Sequence, residues 1–390
     1  MFKKTLYSLL IFFLAFTGQL LAQEFDPFIQ ENVDQLNYDS LYFRLQQFED
    51  LGIKEIGTQE LDNTGNWIIN FYQQNGYSNI TIDSFYIGLN LVYNIIITKT
   101  GTDYPDTYLI INGHYDTSNG PGVNDNGSGT ATILETARIM KDIETAYSIK
   151  FIHFTAEEVG LVGSTHYVEN IAIPEELDIR LLMNIDEVGG VAGEVNNTVT
   201  CERDEFAPIE NNAESAAFTD TLANLTEMYS NLNTAISFAY GSDYVPFMLN
   251  GYVVTGLYET NESPYPHSPN DLLSNLDPEY VFEITKTTLA ATLYFSNYLN
   301  TNTNVLSGTK NQNDFNVSPN PFNSYFEFKN PTNEPVRVML LDMAGKEIFR
   351  SSIAKNATKK LFPDCHPGMY LIFISSLNGQ NIYTDKIIKQ

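Results

Sequence analysis

Cysteine, tryptophan and histidine are scarce in this chain, which has two, one and five of them in 390 residues. Two cysteines cannot form the several disulfides that stabilise many small secreted domains. Cys201 and Cys365 fall in different predicted domains, so we interpret both as unpaired thiols. Five histidines leave few candidates for any metal site or catalytic site built on imidazole.

Positive charge is also scarce. The chain has 21 Lys and Arg against 48 Asp and Glu, a formal net charge of −27. Residues 23–309 carry 9 basic and 41 acidic side chains, whereas residues 310–390 carry 10 and 7. Because nucleic-acid binding depends on basic side chains that neutralise phosphates, this composition argues against a nucleic-acid partner. The acidic surplus indicates a solubility feature, or an electrostatic attraction for cationic ligands.

Long apolar runs are absent after the N-terminal region. Residues 1–4 make a basic start, residues 6–16 are almost all apolar, and Ala22 is a small residue at the expected cut. This pattern predicts a secretory signal peptide over residues 1–22, because the apolar stretch is short for a membrane anchor. No later segment approaches the roughly 20 apolar residues of a spanning helix. We therefore expect export through the periplasm, no stable membrane insertion, and a secreted or cell-surface location.

Apolar runs and turn signals divide the remainder of the chain. With 43% hydrophobic and 13% aromatic residues, a sizeable core is expected. Strand-like runs alternate with helical ones over residues 23–300, which predicts an α/β domain beginning with helices near Tyr38–Leu51 and Asn63–Asn75. Residues 25–39 could be a propeptide or a lead-in segment. A polar linker is expected over 301–313.

Short alternating strands separated by turns predict a small all-β sandwich over residues 314–390. The predicted strands are Tyr325–Phe328, Val336–Leu341, Met369–Ile374 and Ile382–Ile388. A carbohydrate-binding or protein-binding sandwich is one interpretation of this region.

Five potential metal ligands follow apolar runs or a glycine-rich turn in the α/β domain. They are His114, Asp125, Glu158, Asp186 and His267. Open α/β sheets bind ligands at the carboxyl ends of their strands. Each residue alone would be an ordinary cap or turn residue. Their recurrence at strand ends, with imidazole and carboxylate donors, is suited to zinc or a similar divalent ion.

The other three histidines have simpler interpretations. His153 lies inside an apolar strand and is expected in the core. His166 is expected on a helix face, and His366 in a turn of the C-terminal domain. This leaves His114 and His267 as the imidazole ligands.

The motifs around these residues resemble peptidase family M28, the co-catalytic zinc aminopeptidases, over about Asp39 to Tyr298. They are His114-x-Asp116, Asn124-Asp-Asn-Gly-Ser-Gly129, Ala156-Glu-Glu-x-Gly-x-x-Gly-Ser164, Asp186 after an apolar run, and His267-Ser-Pro-Asn-Asp271. The resemblance implies a mixed central sheet flanked by helices.

It also implies two Zn²⁺ ions, with Mn²⁺ or Co²⁺ as possible substitutes. His114 and Asp186 would hold one ion, Glu158 and His267 the other, and Asp125 would bridge them. Asp116 would orient the His114 ring, and Glu157 would be the general base. Two such ions can share a hydroxide and polarise a carbonyl, while a free carboxylate carries the proton to the leaving amine.

One segment departs from the family pattern. In Tyr240-Gly-Ser-Asp-Tyr244, many relatives have histidine where this chain has Tyr244. A phenol can donate a hydrogen bond to a substrate oxygen but cannot act as an imidazolium. Tyr244 is therefore a candidate donor, with plain packing as the alternative. Asp243 is a candidate for positioning the site, and Tyr258 for lining the substrate cleft.

The C-terminal motifs Ser318-Pro-Asn-Pro-Phe322, Pro367-Gly-Met-Tyr370 and Lys386–Gln390 resemble the sorting domain of the type IX secretion system. This resemblance implies the secretion machinery as a partner.

Together the sequence predicts a secreted di-zinc aminopeptidase that acts on peptides with free N-termini. Three alternatives stay open. A glutaminyl-peptide cyclotransferase shares the scaffold, and a carboxypeptidase or other amidase would need a basic residue for the substrate carboxylate. A non-catalytic binding module on the same fold is the third.

Overall fold

Two units of the chain each have a hydrophobic core of their own. The structure is a computed structural model that describes residues 25–239, 241–299, 316–319, 321–331, 334–341, 347–363, 365–376 and 381–389. The first unit ends at Thr301 and the second begins at Asn302. The predicted signal peptide and linker lie outside the described residues.

Helices α2 and α3 of the first unit begin at polar caps that the sequence supplies. Asn37 accepts a hydrogen bond from the backbone N–H of Ser40, and Thr58 accepts one from Leu61. The second predicted helix therefore starts earlier than expected. In the described residues the α-helices are α1 Pro27–Val33, α2 Tyr38–Asp50, α3 Gln59–Gln74, α4 Gly129–Met140, α5 Val162–Tyr167, α6 Asn212–Tyr229, α7 Val245–Leu249 and α8 Pro278–Phe295.

The strands of the first unit form a mixed sheet in the order β1-β2-β4-β3-β5-β8-β6-β7 over its described residues. Strands β4, β3, β5 and β8 run parallel, so their carboxyl ends lie along one edge. The bounds are β1 Ile80–Ile87, β2 Asn90–Lys99, β3 Tyr104–His114, β4 Tyr147–Phe154, β5 Asp178–Ile185, β6 Thr198–Arg203, β7 Asn233–Phe238 and β8 Val254–Glu259.

Both faces of this sheet are covered, which explains why its central strands are apolar without alternation. Ile111, Phe151 and Leu181 belong to one hydrophobic cluster, and their neighbours Ile110, Ile152 and Leu182 to another. Helices α4, α6 and α8 pack on the first face, whereas α5 and α7 cover the second. The predicted α/β class with a mixed sheet is confirmed.

The segment that could have been a propeptide is part of this core. Helix α1 buries Phe28, Ile29 and Val33 and packs against α8. The Phe28 ring stacks on Tyr298 with centroids 4.5 Å apart, and Tyr298 donates a hydrogen bond to Asp26.

The second unit consists of two small antiparallel sheets, β13-β10-β9 and β12-β11-β14-β15, over its described residues. Phe326 and Phe328 of one sheet share a cluster with Val338 and Ile372 of the other, as the predicted sandwich requires. The strands are β9 Asn316–Ser318, β10 Phe326–Lys329, β11 Val336–Leu341, β12 Glu347–Ile353, β13 Thr358–Leu361, β14 Gly368–Ser376 and β15 Asn381–Lys389. Among the described residues of either unit, the helices are too short or too polar to cross a bilayer.

Candidate metal centre

The parallel strands deliver the predicted ligands to one edge of the sheet. His114 is the last residue of β3, and Asp186 follows β5 directly. Glu157 and Glu158 follow β4, and the loop after β8 carries His267. The glycine-rich turn before α4 supplies Asp125.

Asp125 lies between two groups of potential metal-ligand atoms. Its Oδ1 is 3.2 Å from His114 Nε2, which is also 3.2 Å from Asp186 Oδ1. Its Oδ2 is 3.1 Å from His267 Nε2, which is 2.9 Å from Glu158 Oε2. We call these the His114 half-site and the His267 half-site. All five predicted ligands are thus brought together around one carboxylate.

The glycines around Asp125 permit this close packing. Gly122 has φ +61°, in the left-handed region that glycine adopts without strain. A Cβ at Gly129 would collide with the carbonyl oxygen of Ile185, the residue before Asp186. The turn can therefore approach the end of β5 only with glycine at this position.

Hydrogen bonding fixes the tautomer of His114. Its Nδ1 lies 3.0 Å from the Asp116 backbone oxygen, which can only accept, so Nδ1 carries the hydrogen. In the neutral ring Nε2 then presents a lone pair to two carboxylate oxygens at 3.2 Å. The lone pair and the carboxylate oxygens repel each other unless the ring is protonated or a cation lies between the nitrogen and the oxygens. The donor geometry therefore fits a metal ion.

Asp116 contacts the His114 ring through its main chain and the turn of Glu157 and Glu158 through its side chain. The ring of His114 is held by the main-chain carbonyl of Asp116, whereas the Asp116 carboxylate is 3.7 Å from Nδ1. The carboxylate instead accepts the backbone N–H groups of Glu157 and Glu158, at 3.2 and 3.3 Å. It therefore holds the turn that carries both glutamates.

The same cluster contains buried carboxylate oxygens that accept no hydrogen bond. Asp186 Oδ1 and Glu158 Oε1 are buried and make no hydrogen bond. Such oxygens are costly unless a cation is nearby. His114, Asp125 and Glu158 each offer one ligand atom within 4.8 Å of the others.

The pKa shifts of the acidic side chains in the cluster also indicate a place for a cation. Burial and the neighbouring carboxylates raise the pKa of Glu158 to about 8 and that of Glu157 to about 10. Burial by itself lowers the pKa of His114, but Asp186 and Glu157 raise it well above its ordinary value. Burial, together with several close carboxylates, raises the pKa values of the two glutamates, and bound cations would lower them.

Glu157 lies beside the half-sites. Its Oε2 is 4.0 Å from His114 Nε2, farther than the oxygens of Asp125 and Asp186. The predicted division between a ligand, Glu158, and a free carboxylate, Glu157, is compatible with this placement.

A relay of polar side chains that sequence reasoning missed orients Asp186. Asn112 donates to Asn184 at 2.6 Å, Asn184 donates to Ser242 at 2.8 Å, and Ser242 donates to Asp186 Oδ2 at 2.5 Å. The available signal was an asparagine directly after an apolar run in each of two strands, Asn112 after Leu109–Ile111 and Asn184 after Leu181–Met183.

The prediction for Tyr244 as a donor to substrate does not fit its surroundings. Tyr244 is only 1% exposed, and its hydroxyl donates to Glu202 Oε2 at 2.6 Å. Its ring packs with Phe247 and Val254. The turn before α7 directs this side chain into the apolar core, so the alternative of a packing role is the better one.

The other predicted residues of this region have different environments. Asp243 is fully buried, and neither carboxylate oxygen makes a hydrogen bond of normal geometry. Burial raises its pKa to about 7, and His114 opposes that rise. Tyr258 is half-buried on β8 beside Thr200 of β6.

The remaining described histidines of the first unit match their simpler interpretations. His153 is buried in β4 and bonds to Tyr72 at 2.9 Å. His166 lies on α5 and pairs with Asp83 at 3.1 Å.

Comparisons with known proteins agree with these observations. The model of peptidase family M28 matches residues 94–292, slightly more than half of the chain. A second family model, the secretion system C-terminal sorting domain, matches residues 316–390. Aminopeptidase YwaD of Bacillus subtilis is 31% identical over 182 residues, which are 45% of this chain and 38% of that protein. The chain spans less than half the length of the curated relatives it matches.

Solved structures share the fold. A zinc aminopeptidase from Bacillus subtilis superposes with a TM-score of 0.58 at 16% identity, covering 67% of this chain and 98% of that one. Glutaminyl cyclase from Macrostomum lignano superposes with a TM-score of 0.61 at 16% identity, covering 70% and 94%. At 16% identity the two superpositions establish a shared fold and give no information on activity. Since the family model spans half of the sequence and includes His114, Asp125, Glu158, Asp186 and His267, the chain belongs to peptidase family M28.

Proposed function

We propose that the protein is an exported zinc-dependent aminopeptidase that hydrolyses the first peptide bond of peptides with free N-termini. The observation that carries this proposal is the pair of half-sites that share Asp125, with Glu157 beside them. A zinc aminopeptidase of the same fold and aminopeptidase relatives of the same family support it.

Two Zn²⁺ ions are the proposed occupants. His114 and Asp186 would hold one ion, His267 and Glu158 the other, and Asp125 would bridge them. Imidazole and carboxylate donors without thiolate suit zinc and also accept Mn²⁺ or Co²⁺. When bound, two divalent cations acidify a water molecule and polarise the scissile carbonyl.

The side chains of the protein then handle the proton. Glu157 lies close enough to the half-sites to take a proton from an attacking water and to deliver it to the leaving amine. For that role its carboxylate must be ionised, and cations in the half-sites would favour the ionised form. Asp116 fixes the backbone of Glu157 and thereby the direction of its side chain.

The C-terminal unit supports the location. Since residues 316–390 match a secretion sorting domain, we propose that this unit directs the protein to the secretion machinery and that the peptidase acts outside the cell or at its surface.

Mass spectrometry of peptides incubated with the zinc-loaded protein tests the activity. Three versions of one short peptide are compared, with free, acetylated and glutaminyl N-termini, and the chelator-treated protein is the control. We expect stepwise loss of N-terminal residues from the free peptide and no change in the acetylated one.

Other outcomes would replace the proposal. Loss of ammonia from the glutaminyl peptide without cleavage would indicate a glutaminyl cyclase. Cleavage from the carboxyl end would indicate a carboxypeptidase. If all three peptides stayed unchanged, the protein would be interpreted as a non-catalytic binding module.

A further inference from the structure

Asp271 accepts hydrogen bonds from the backbone of the segment that carries Asp125, the residue shared by the two half-sites. Its Oδ1 accepts the N–H of Asn124 at 2.7 Å and its Oδ2 accepts the N–H of Asp125 at 3.0 Å. Its own carbonyl oxygen accepts the N–H of Val123 at 3.3 Å. Three consecutive backbone N–H groups thus bond to one residue, which is only 2% exposed.

The same residue belongs to the segment that carries His267. Asp271 lies four positions after His267, and its N–H donates to the Ser268 carbonyl at 3.1 Å. His267 itself adopts φ +55°, in the left-handed region. Its ring is largely exposed, so few side-chain contacts hold it in place. The bonds of Asp271 therefore connect the two backbone segments on which the His267 half-site depends.

A buried lysine holds the other end of the Asp125 loop. The Lys54 ammonium donates to the carbonyls of Gly52 and Pro121, at 2.6 and 2.7 Å, and lies 3.8 Å from the centre of the Phe48 ring. The Lys54 backbone also exchanges two hydrogen bonds with Thr117. The loop between His114 and Asp125 is therefore held near both ends.

We propose that Asp271 is a positioning residue that sets the separation of Asp125 from His267 and thereby the zinc affinity of the His267 half-site. This inference rests on the proposed function for the identity of the metal. Only a carboxylate fits the position, because both of its oxygens accept. An asparagine would retain one acceptor and turn an amide donor towards a backbone N–H.

Zinc affinity of the full chain, measured by competition with a chromogenic chelator, tests the proposal. Asp271→Asn should weaken the binding of zinc at the His267 half-site by about 10- to 100-fold, as loss of a group that orients a metal ligand does. The matched control is Asp277→Asn. Asp277 also accepts two backbone N–H groups, those of Glu279 and Tyr280, but at the start of α8.

A purely structural role predicts a different result. Both variants would then lose thermal stability while zinc affinity stayed at the wild-type value, and that outcome would overturn the proposal. The visible absorption of the Co²⁺-loaded protein is a second readout, because a displaced ligand alters the spectrum, whereas a general loss of stability leaves it unchanged. We expect an altered spectrum for Asp271→Asn only.

If circular dichroism shows that Asp271→Asn does not fold, Asp271→Glu decides the question. Its longer side chain keeps the charge but displaces the oxygens, so zinc affinity should fall below wild type, and an unchanged affinity would contradict the proposal. Because zinc binding is measured without substrate, wild-type protein that binds zinc but cleaves no peptide would refute the proposed activity and leave this inference intact.

Discussion

The hydrogen on Nδ1 of His114 determines which ring nitrogen faces the carboxylates of the candidate site. The Asp116 carbonyl holds that hydrogen on Nδ1, which leaves Nε2 to face Asp125 and Asp186. The family resemblance implied that Asp116 orients this ring. In the structure the main chain of Asp116 contacts the ring, and its carboxylate holds the turn that carries Glu157 and Glu158.

At the scale of single residues we predict the effect of Glu157→Gln. Turnover should fall by about 10²- to 10⁴-fold, because the amide cannot accept a proton from water. Zinc content should stay at the wild-type level, since Glu157 lies outside both half-sites. Steady-state kinetics and metal analysis of the same samples check both statements. Glu214→Gln, an exposed residue of α6, is the control, and near-normal turnover of Glu157→Gln would remove the general-base assignment.

His153 provides a prediction about acid stability. Burial lowers its pKa to about 3 in the folded protein, whereas the unfolded chain should have the ordinary value of about 6.5. Between these values the unfolded state binds the extra proton, so stability falls as the pH drops from about 6.5 to 3. From pH 7 to pH 5 this residue should cost about 2 kcal/mol of unfolding free energy.

Urea unfolding of the metal-free protein and of His153→Gln at both pH values measures this contribution. The variant keeps a group that can bond to Tyr72 but does not titrate, so its stability should fall by about 2 kcal/mol less than that of the wild type. Equal losses in the two proteins would contradict the assignment.

At the scale of elements, four parallel strands place the site and one short helix closes the core. Helix α1 has seven residues and would not be stable alone. It is held by tertiary contacts of Phe28 with Tyr298 and of Asp26 with Tyr229 and Tyr298. The segment is therefore an integral part of the folded unit.

We predict that Phe28→Ala lowers the free energy of unfolding by about 3 kcal/mol, because it removes a buried aromatic ring. Phe25→Ala is the matched control, since Phe25 is 53% exposed and Phe28 is 8% exposed. The control should change stability by less than about 1 kcal/mol. Chemical denaturation of the two variants decides the matter, and equal effects would make the segment dispensable, as a propeptide would be.

At the scale of the whole molecule, each unit has its own hydrophobic clusters. The described members of the clusters in the first unit end at Tyr298, and those of the second begin at Val317. Separate cores predict separate unfolding.

Residues 23–301 alone should therefore unfold at the same temperature as the corresponding transition of the longer chain, and should cleave peptides at a similar rate. Calorimetry and peptide hydrolysis on both proteins check this. A midpoint lowered by several degrees in the shorter protein would show that the C-terminal unit stabilises the peptidase.

Much of the fold, and the placement of the predicted ligands at one edge of the sheet, was determined by the sequence alone. Apolar runs of the right length ended at His114, Asp186 and the Glu157–Glu158 pair, and parallel strands necessarily bring such ends to one edge. His153 was expected in the core from its apolar neighbours. These features depend on local pattern and topology, which a sequence displays directly.

Other features were decided only by the tertiary structure. The environment of Tyr244, the bonds of the Asp116 carboxylate to the Glu157 and Glu158 backbone, the hydrogen bond of Ser242 to Asp186 and the bond of Asp271 to Asp125 each depend on where side chains point after the loops pack. Those directions follow from contacts between residues up to 146 positions apart. Local pattern cannot specify them, because the partners meet only when the strands and loops have assembled.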